Sequence, residues 1–293
     1  MKKTLMYAVV AAVCFSCSNQ TENQEAQATQ NAEATEALNP TLTKIWETDS
    51  IMTTSESTLY DKASNLIYVS NISGNSSEKN GKGFIATMKP DGSISELNWL
   101  TGLNAPKGMA LLNGKLYVTD IDELVEIDVA SKKVSNRYPV QDAVFLNDAA
   151  TNGRSIYFSD SRTGRVHALE NGAVTLIAEG LENINGLAFN EEGQLYLLDG
   201  AGLHRYIMAD KNTEPVNEVV KGGDGLVILN DSTFIASRWD GEIYFISNGK
   251  EHLMLDTKSE GANTADIDYI EAENLVLVPT FRNNRVVAYK LSY

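Results

Sequence analysis

Residues 180–199 read GLENINGLAFNEEGQLYLLD. A polar turn at 182–184 leads to Asn185 and Gly186. Two short apolar runs follow, at 187–189 and 195–198, separated by the polar turn 190–193. Such a pattern predicts two short strands joined by a tight turn. The unit recurs, led in turn by Glu56, Lys107, Asn147, Asp224 and, more weakly, Ala265. Including Asn185, the six leading positions are separated by 51, 40, 38, 39 and 41 residues. Self-similarity at about 40 residues with strand content alone is the mark of a β-propeller, one repeat to a blade. The long interval holds residues 74–83, rich in Ser, Asn, Lys and Gly, which predict an inserted surface loop.

The expected fold is therefore all-β: a six-bladed β-propeller with four-stranded antiparallel blades. Third strands are predicted at 165–169, 203–206, 242–246 and 285–291. Residues 43–48 (TKIWET) alternate, carry Trp46 and have no partner strand beside them. They predict an N-terminal strand that completes the last blade and closes the ring. No stretch has helical periodicity, and Gly186 interrupts the nearest attempt. The Asp residues at 160, 199 and 240, past the second strands, read as turn formers bonding nearby backbone.

In a propeller the innermost strands line a central channel. Residues at one phase then form a ring at its mouth: Glu56, Lys107, Asn147, Asn185, Asp224 and Ala265. Two carboxylates and two amides among them are hard oxygen ligands without sulfur or imidazole. That chemistry suits Ca²⁺, Mg²⁺ or Mn²⁺. The same residues also fit a purely structural reading, in which Asn-Gly and Asp-Gly at strand starts are turn dipeptides.

The N-terminus has the composition of a targeting signal. Lys2 and Lys3 precede an apolar run at 5–15, too short to span a bilayer. The sequence then reads Cys14-Phe15-Ser16-Cys17 and turns polar. It resembles a bacterial lipoprotein box, with residues 1–16 as signal peptide and Cys17 as the lipid-bearing first residue. Residues 17–44 are expected to be the lipidated cysteine and a flexible linker of Gln, Asn, Glu, Ala and Thr. Residues 45–293 form the propeller, and 249 residues match six blades of about 40. Without Lys2 and Lys3 the chain has 22 basic against 39 acidic residues, a net charge of −17. That excess repels nucleic acid and anionic lipid surfaces. The expected setting is a bacterial cell envelope, periplasmic or cell-surface. There the chain would be a lipid-anchored monomer acting on a small molecule.

Absent motifs narrow the chemistry. There is no G-x-S-x-G elbow, P-loop or H-E-x-x-H in the sequence, and no CxxC outside the targeting segment that holds Cys14 and Cys17. His167, His204 and His252 fall on outer strands or turns, where packing or surface roles are expected. Serine-nucleophile, zinc-protease and nucleotide chemistry are thereby poorly supported.

Four segments resemble the gluconolactonase and senescence-marker-protein (regucalcin-like) family of six-bladed propellers. They are Glu56 with Tyr60-Asp61 and residues 66–69, Asn147-Asp148 with Gly153-Arg154, Asn185-Gly186-Leu187, and Asp224-Gly225-Leu226. The likeness covers 45–293. It implies that Glu56, Asn185 and Asp224 bind one divalent cation, with Ca²⁺ expected first and Mg²⁺, Mn²⁺ or Zn²⁺ as further candidates. It implies that Asn147 is a ligand or substrate contact and that Asp224 doubles as general base. The activity implied is metal-dependent hydrolysis of a lactone or similar ester. The sequence also departs from the family. Ala149 stands where Gly is frequent, and Phe145 stands where some members carry a lactone-binding arginine. Lys107 enters the ring by phase, either to anchor an anionic substrate or to oppose the cation. A non-catalytic envelope binding or scaffold propeller is the alternative expectation.

Overall fold

The structure is a computed structural model and describes residues 39–293. Its described residues form six four-stranded antiparallel sheets, with two short 3₁₀ turns at Lys258–Glu260 and Glu271–Glu273 as the only helical elements. The inner strands are Ser55–Asp61, Pro106–Leu112, Leu146–Thr151, Leu187–Phe189, Gly223–Asn230 and Asp268–Ile270. In blades 1 to 5 the four strands lie side by side in chain order. Blade 6 is composite. It runs outward from Asp268–Ile270 through Leu275–Pro279 and Val286–Ser292, and its outermost strand is the N-terminal Thr41–Glu47. The predicted six-bladed fold and N-terminal closure are both present. The closing strand begins at Thr41, so it takes in residues expected to be linker. The expected lipidation site, Cys17, lies outside the described residues.

The core is divided among the blade interfaces. Ile67, Val69, Ala86 and Met88 of blade 1 pack against Leu275, Leu277, Val286 and Ala288 of blade 6. Comparable clusters join each successive pair of blades. Alternation explains this: each strand sends every second residue to one face of its sheet, and stacked sheets bury those faces against each other.

Closure is local chemistry as well as pairing. Thr41–Glu47 pairs with the last strand, but its register shifts between Lys44 and Trp46. That bulge leaves Ile45 53% exposed and turns Trp46 towards blade 1. The Trp46 Nε1 donates to the Pro90 carbonyl at 2.8 Å. Its ring lies where a Cβ on Gly92 would come within 2.8 Å, so only glycine fits that turn, at φ 87°. The insertion between the second and third strands of blade 1, residues 72–82, reaches blade 2 through a 2.6 Å Lys79–Asp122 ion pair. His167 and His204 lie on third strands and His252 on a fourth, all away from the channel.

Trp46→Ala removes both the interblade hydrogen bond and a half-buried ring. The expected cost is about 2–3 kcal/mol, below the roughly 3–5 kcal/mol of a fully buried aromatic. Deleting 41–47 should abolish a single cooperative melt. Thermal unfolding followed by circular dichroism measures both, and a wild-type melt from the deletion would refute the closure.

Candidate site at the channel mouth

Four of the six inner strands begin in a bulge. Between the paired positions Leu146/Asp160 and Ala149/Phe158, Asn147 and Asp148 face the single residue Ser159. Lys107 and Gly108 face Thr119 in the same way, and Asp224 and Gly225 face Ser237. In blade 1 the register shifts between Ser55 and Ser57, leaving Glu56 as the extra residue. The opposing hydroxyls fill the broken ladder. Ser70, Ser159 and Ser237 accept from the backbone N–H of Ser57, Asp148 and Gly225 at 3.0, 3.0 and 2.8 Å. Ser237 also donates to the Ala265 carbonyl of the next blade at 2.7 Å. Thr119 donates likewise to the Asn147 carbonyl. Bulges of this kind re-aim side chains, and four of the six predicted ring residues, Glu56, Lys107, Asn147 and Asp224, lie in them.

The glycines that follow Lys107, Asn185 and Asp224 are not turn glycines. None of Gly108, Gly186 and Gly225 has a positive φ. A Cβ on them would meet the neighbouring blade's backbone at 2.4 Å (Asp148 Cα), 2.5 Å (Asp224 O) and 2.3 Å (Ile267 N). Close approach of adjacent inner strands, rather than a tight turn, requires glycine there. The turn-dipeptide reading is thereby set aside.

Glu56, Lys107, Asn147 and Asp224 are all buried, and Asn185 is half-buried. Asn185 Nδ2 donates to Asp224 Oδ1 at 3.0 Å, joining blades 4 and 5. Burial pushes the Glu56 carboxyl well above its ordinary range, and the Asp224 and Asp148 charges push it further while Lys107 pulls it down. Asp224 is raised to about 7 by burial and by Asp148, against the Asn185 hydrogen bond. Lys107 is lowered to about 8 by burial, against the pull of Glu56 and Asp120. Asn147 lies at the same mouth, its Nδ2 donating to Ser161 Oγ at 3.1 Å. Ala265, by contrast, contributes only a carbonyl.

Sequence reasoning missed three carboxylates. Asp148 is raised to about 7, chiefly by burial. Its two oxygens accept from Leu187 N–H of blade 4 and from Ala149 N–H, each at 2.6 Å. Asp266 Oδ2 accepts from Ser57 Oγ at 2.5 Å, and burial with the Asp148, Glu56 and Asp224 charges raises its carboxyl well above the ordinary range. Asp268 accepts from Tyr60 N–H at 2.5 Å and is raised to about 6, chiefly by burial. The signal for Asp148 was present. A two-residue bulge takes both of its residues off the ladder, so Asp148 leaves it together with Asn147.

These partners sort the acidic residues. Asp148, Asp266 and Asp268 have hydrogen-bond donors from protein. Glu56 Oε2 and Asn185 Oδ1 are buried with none. A buried acceptor without a donor is costly. A divalent cation with oxygen ligands would satisfy both atoms beside Asp224, so the implied ligand set fits. No three His, Cys, Asp or Glu groups among the described residues could hold an ion by themselves, so the amide oxygens are needed in that set.

A carboxyl whose folded pKa exceeds its unfolded value, about 3.9 for Asp, binds more protons in the folded state. Its contribution to stability is then lost as pH rises, here between about 4 and about 7. In chelator, the melting temperature of the wild type should fall across that window relative to Asp224→Asn, which lacks one such group. Parallel pH profiles for the two proteins would contradict this.

No family model matches the sequence, and no curated protein does. Solved structures do match. A structural-genomics structure provisionally described as a gluconolactonase is 18% identical, covering 87% of this chain and 93% of its own at a TM-score of 0.65. A gluconolactonase from Xanthomonas campestris is 16% identical over 83% of this chain and 88% of its own, with a TM-score of 0.62. A chain of the nidogen/laminin complex is 15% identical over 72% of this chain and 86% of its own, with a TM-score of 0.59. At such identities the likeness is one of fold, and it is the fold that the sequence resemblance implies.

Proposed function

We propose that the protein is a divalent-cation-dependent hydrolase that opens a lactone or similar ester at the channel mouth. The observation that carries the reading is the pair of buried, donor-less oxygens of Glu56 and Asn185 beside Asp224. The gluconolactonases of the same fold support it, as does the order Glu56, Asn147, Asn185 and Asp224 over successive blades. Glu56, Asn185 and Asp224 would hold the cation, with Asn147 as a fourth ligand or a substrate contact. Bound there, it would polarise the acyl carbonyl and acidify water.

The chain's own groups supply the rest. Asn185 fixes Asp224 through one oxygen and leaves the other free to take a proton from water. The water oxygen adds to the acyl carbon and the ring C–O bond breaks. The proton held by Asp224 then passes to the departing alkoxide, giving a hydroxy acid. Ser161 fixes the Asn147 amide, so its orientation is set before substrate arrives. We place this activity in a bacterial cell envelope, on a lipid carried by Cys17. The binding-propeller alternative draws on Lys107, whose ammonium offsets part of the carboxylate charge without any cation, and on the nidogen/laminin chain of the same fold.

Two measurements test the reading. Ca²⁺ or Mn²⁺ should raise the melting temperature at pH 7 by mass action, and Asp224→Ala should abolish that response together with chelator-sensitive opening of a lactone panel. No cation-dependent change in melting and no hydrolysis would leave the binding reading in its place. Separately, incorporation of radiolabelled palmitate should disappear in Cys17→Ser, and undiminished label would rule out the anchor.

A further inference from the structure

The cationic side of the mouth is built as carefully as the acidic side. Lys107 is 1% exposed, yet its Nζ donates only to the Ala105 carbonyl, at 3.1 Å. No carboxylate of the described residues comes within the 4.0 Å of an ion pair. Buried ammonium groups are rarely left so. The Lys107 Nζ sits 4.3 Å from the ring centroid of Phe145, and the Arg162 guanidinium sits 4.5 Å from the same centroid. Arg162 is exposed and has no ion-pair partner among the described residues. Two cations thus share one aromatic ring, near enough for Arg162 to weaken the protonation of Lys107.

The arrangement is held in place from behind. Asp160 accepts from the backbone N–H groups of Val144 and Phe145 at 2.9 and 3.0 Å. Ser161 N–H donates to the Phe145 carbonyl at 3.0 Å. Ser161 Oγ, next to Arg162, accepts from Asn147. The Phe145 ring, the loop bearing Arg162 and the Asn147 amide are therefore one hydrogen-bonded unit.

We propose that Lys107 and Arg162, gathered on Phe145, form an anion subsite, and that the substrate carries an ionised acidic group besides the ester it presents for hydrolysis. An incoming carboxylate supplies what both cations lack, and charge-assisted hydrogen bonds to Arg and Lys are the strong ones. Phe145 occupies the place of the arginine that some resembling proteins use for sugar lactones. Here Arg162 brings a guanidinium to the same ring from the neighbouring loop of that blade. The substrate half of the proposal rests on the hydrolase reading, whereas the subsite itself does not.

The test compares glucaro-1,4-lactone with glucono-1,4-lactone, which differ only in a terminal carboxylate against a hydroxymethyl group. In the full chain supplied with Ca²⁺, kcat/KM should favour the carboxylate by about tenfold, about 1.4 kcal/mol, and the gain should lie in KM. The preference should collapse in Arg162→Ala and in Lys107→Met. It should also shrink as ionic strength rises from about 0.01 to about 1 M, over which the screening length falls from about 30 to about 3 Å. Arg162 is exposed, so its variant tests the idea even where Lys107→Met misfolds. Equal efficiency on both lactones, or a preference that survives Arg162→Ala, overturns the subsite and leaves the hydrolase reading standing. If neither lactone is opened, calorimetry with glucarate decides. Binding lost in Arg162→Ala supports the subsite without the hydrolase, and no binding to the wild type overturns it.

Discussion

Each inner strand of the propeller has a neighbour within its sheet on one edge only. The other edge faces the channel, where a buried N–H without an acceptor would be costly. The sequence meets this constraint with short polar side chains. The carboxylates of Asp148 and Asp268 accept from Leu187 and Tyr60 of the adjacent blades. At the seam between blades 6 and 1, Asp266 N–H donates to the Glu56 carbonyl at 2.9 Å and Thr58 N–H to the Asp266 carbonyl at 3.2 Å. The acidity of the channel is in large part a consequence of closing the ring.

That consequence separates carboxylates engaged by the fold from those the proposed site would use. Asp148, Asp266 and Asp268 are engaged by donors that the fold itself presents. Glu56 and Asn185 each hold a buried oxygen that the fold leaves without a donor, and they flank Asp224 from different blades. Counting acidic residues in the channel would give five candidates of equal standing. Counting their donors leaves Glu56, with Asp224 bonded only by Asn185, and adds that amide, which a count of charges would overlook.

The fold was legible in the sequence because each repeat carries its own punctuation. Residues 187–189 and 195–198 were predicted as strands from their polar borders, and those are the strands' limits. Trp46 announced the closing strand, although the bulge that aims it at Pro90 left no periodic trace. The site was legible at the first position of each triplet only. Strict alternation would hide the second position from the channel, so Asp148 went unassigned and Asp266 stood behind Ala265. The glycines beside Asn185 and Asp224 looked like turn formers because sequence does not show how near the next blade comes. The meeting of Phe145 with Arg162 was beyond reach. It depends on two loops of one blade folding over each other, pinned by Asp160 in the cross-loop role that its place past a second strand only partly suggested.

Six similar blades give a mouth with near-rotational symmetry, and chemistry requires that the symmetry be broken. The breaking is systematic here. Acceptors that lack donors come from blades 1 and 4, through Glu56 and Asn185, beside Asp224 of blade 5. Cations that lack carboxylates come from blades 2 and 3, through Lys107 and Arg162. Glu56 is felt by both sides, since it is raised by Asp224 and lowered by Lys107. A neutral, featureless ligand would meet no preferred orientation in such a field. A ligand with a carbonyl at one end and an anion at the other would be aligned before any bond changed. The propeller fold supports many functions, and what distinguishes this chain is the opposition of those two half-rings across one channel.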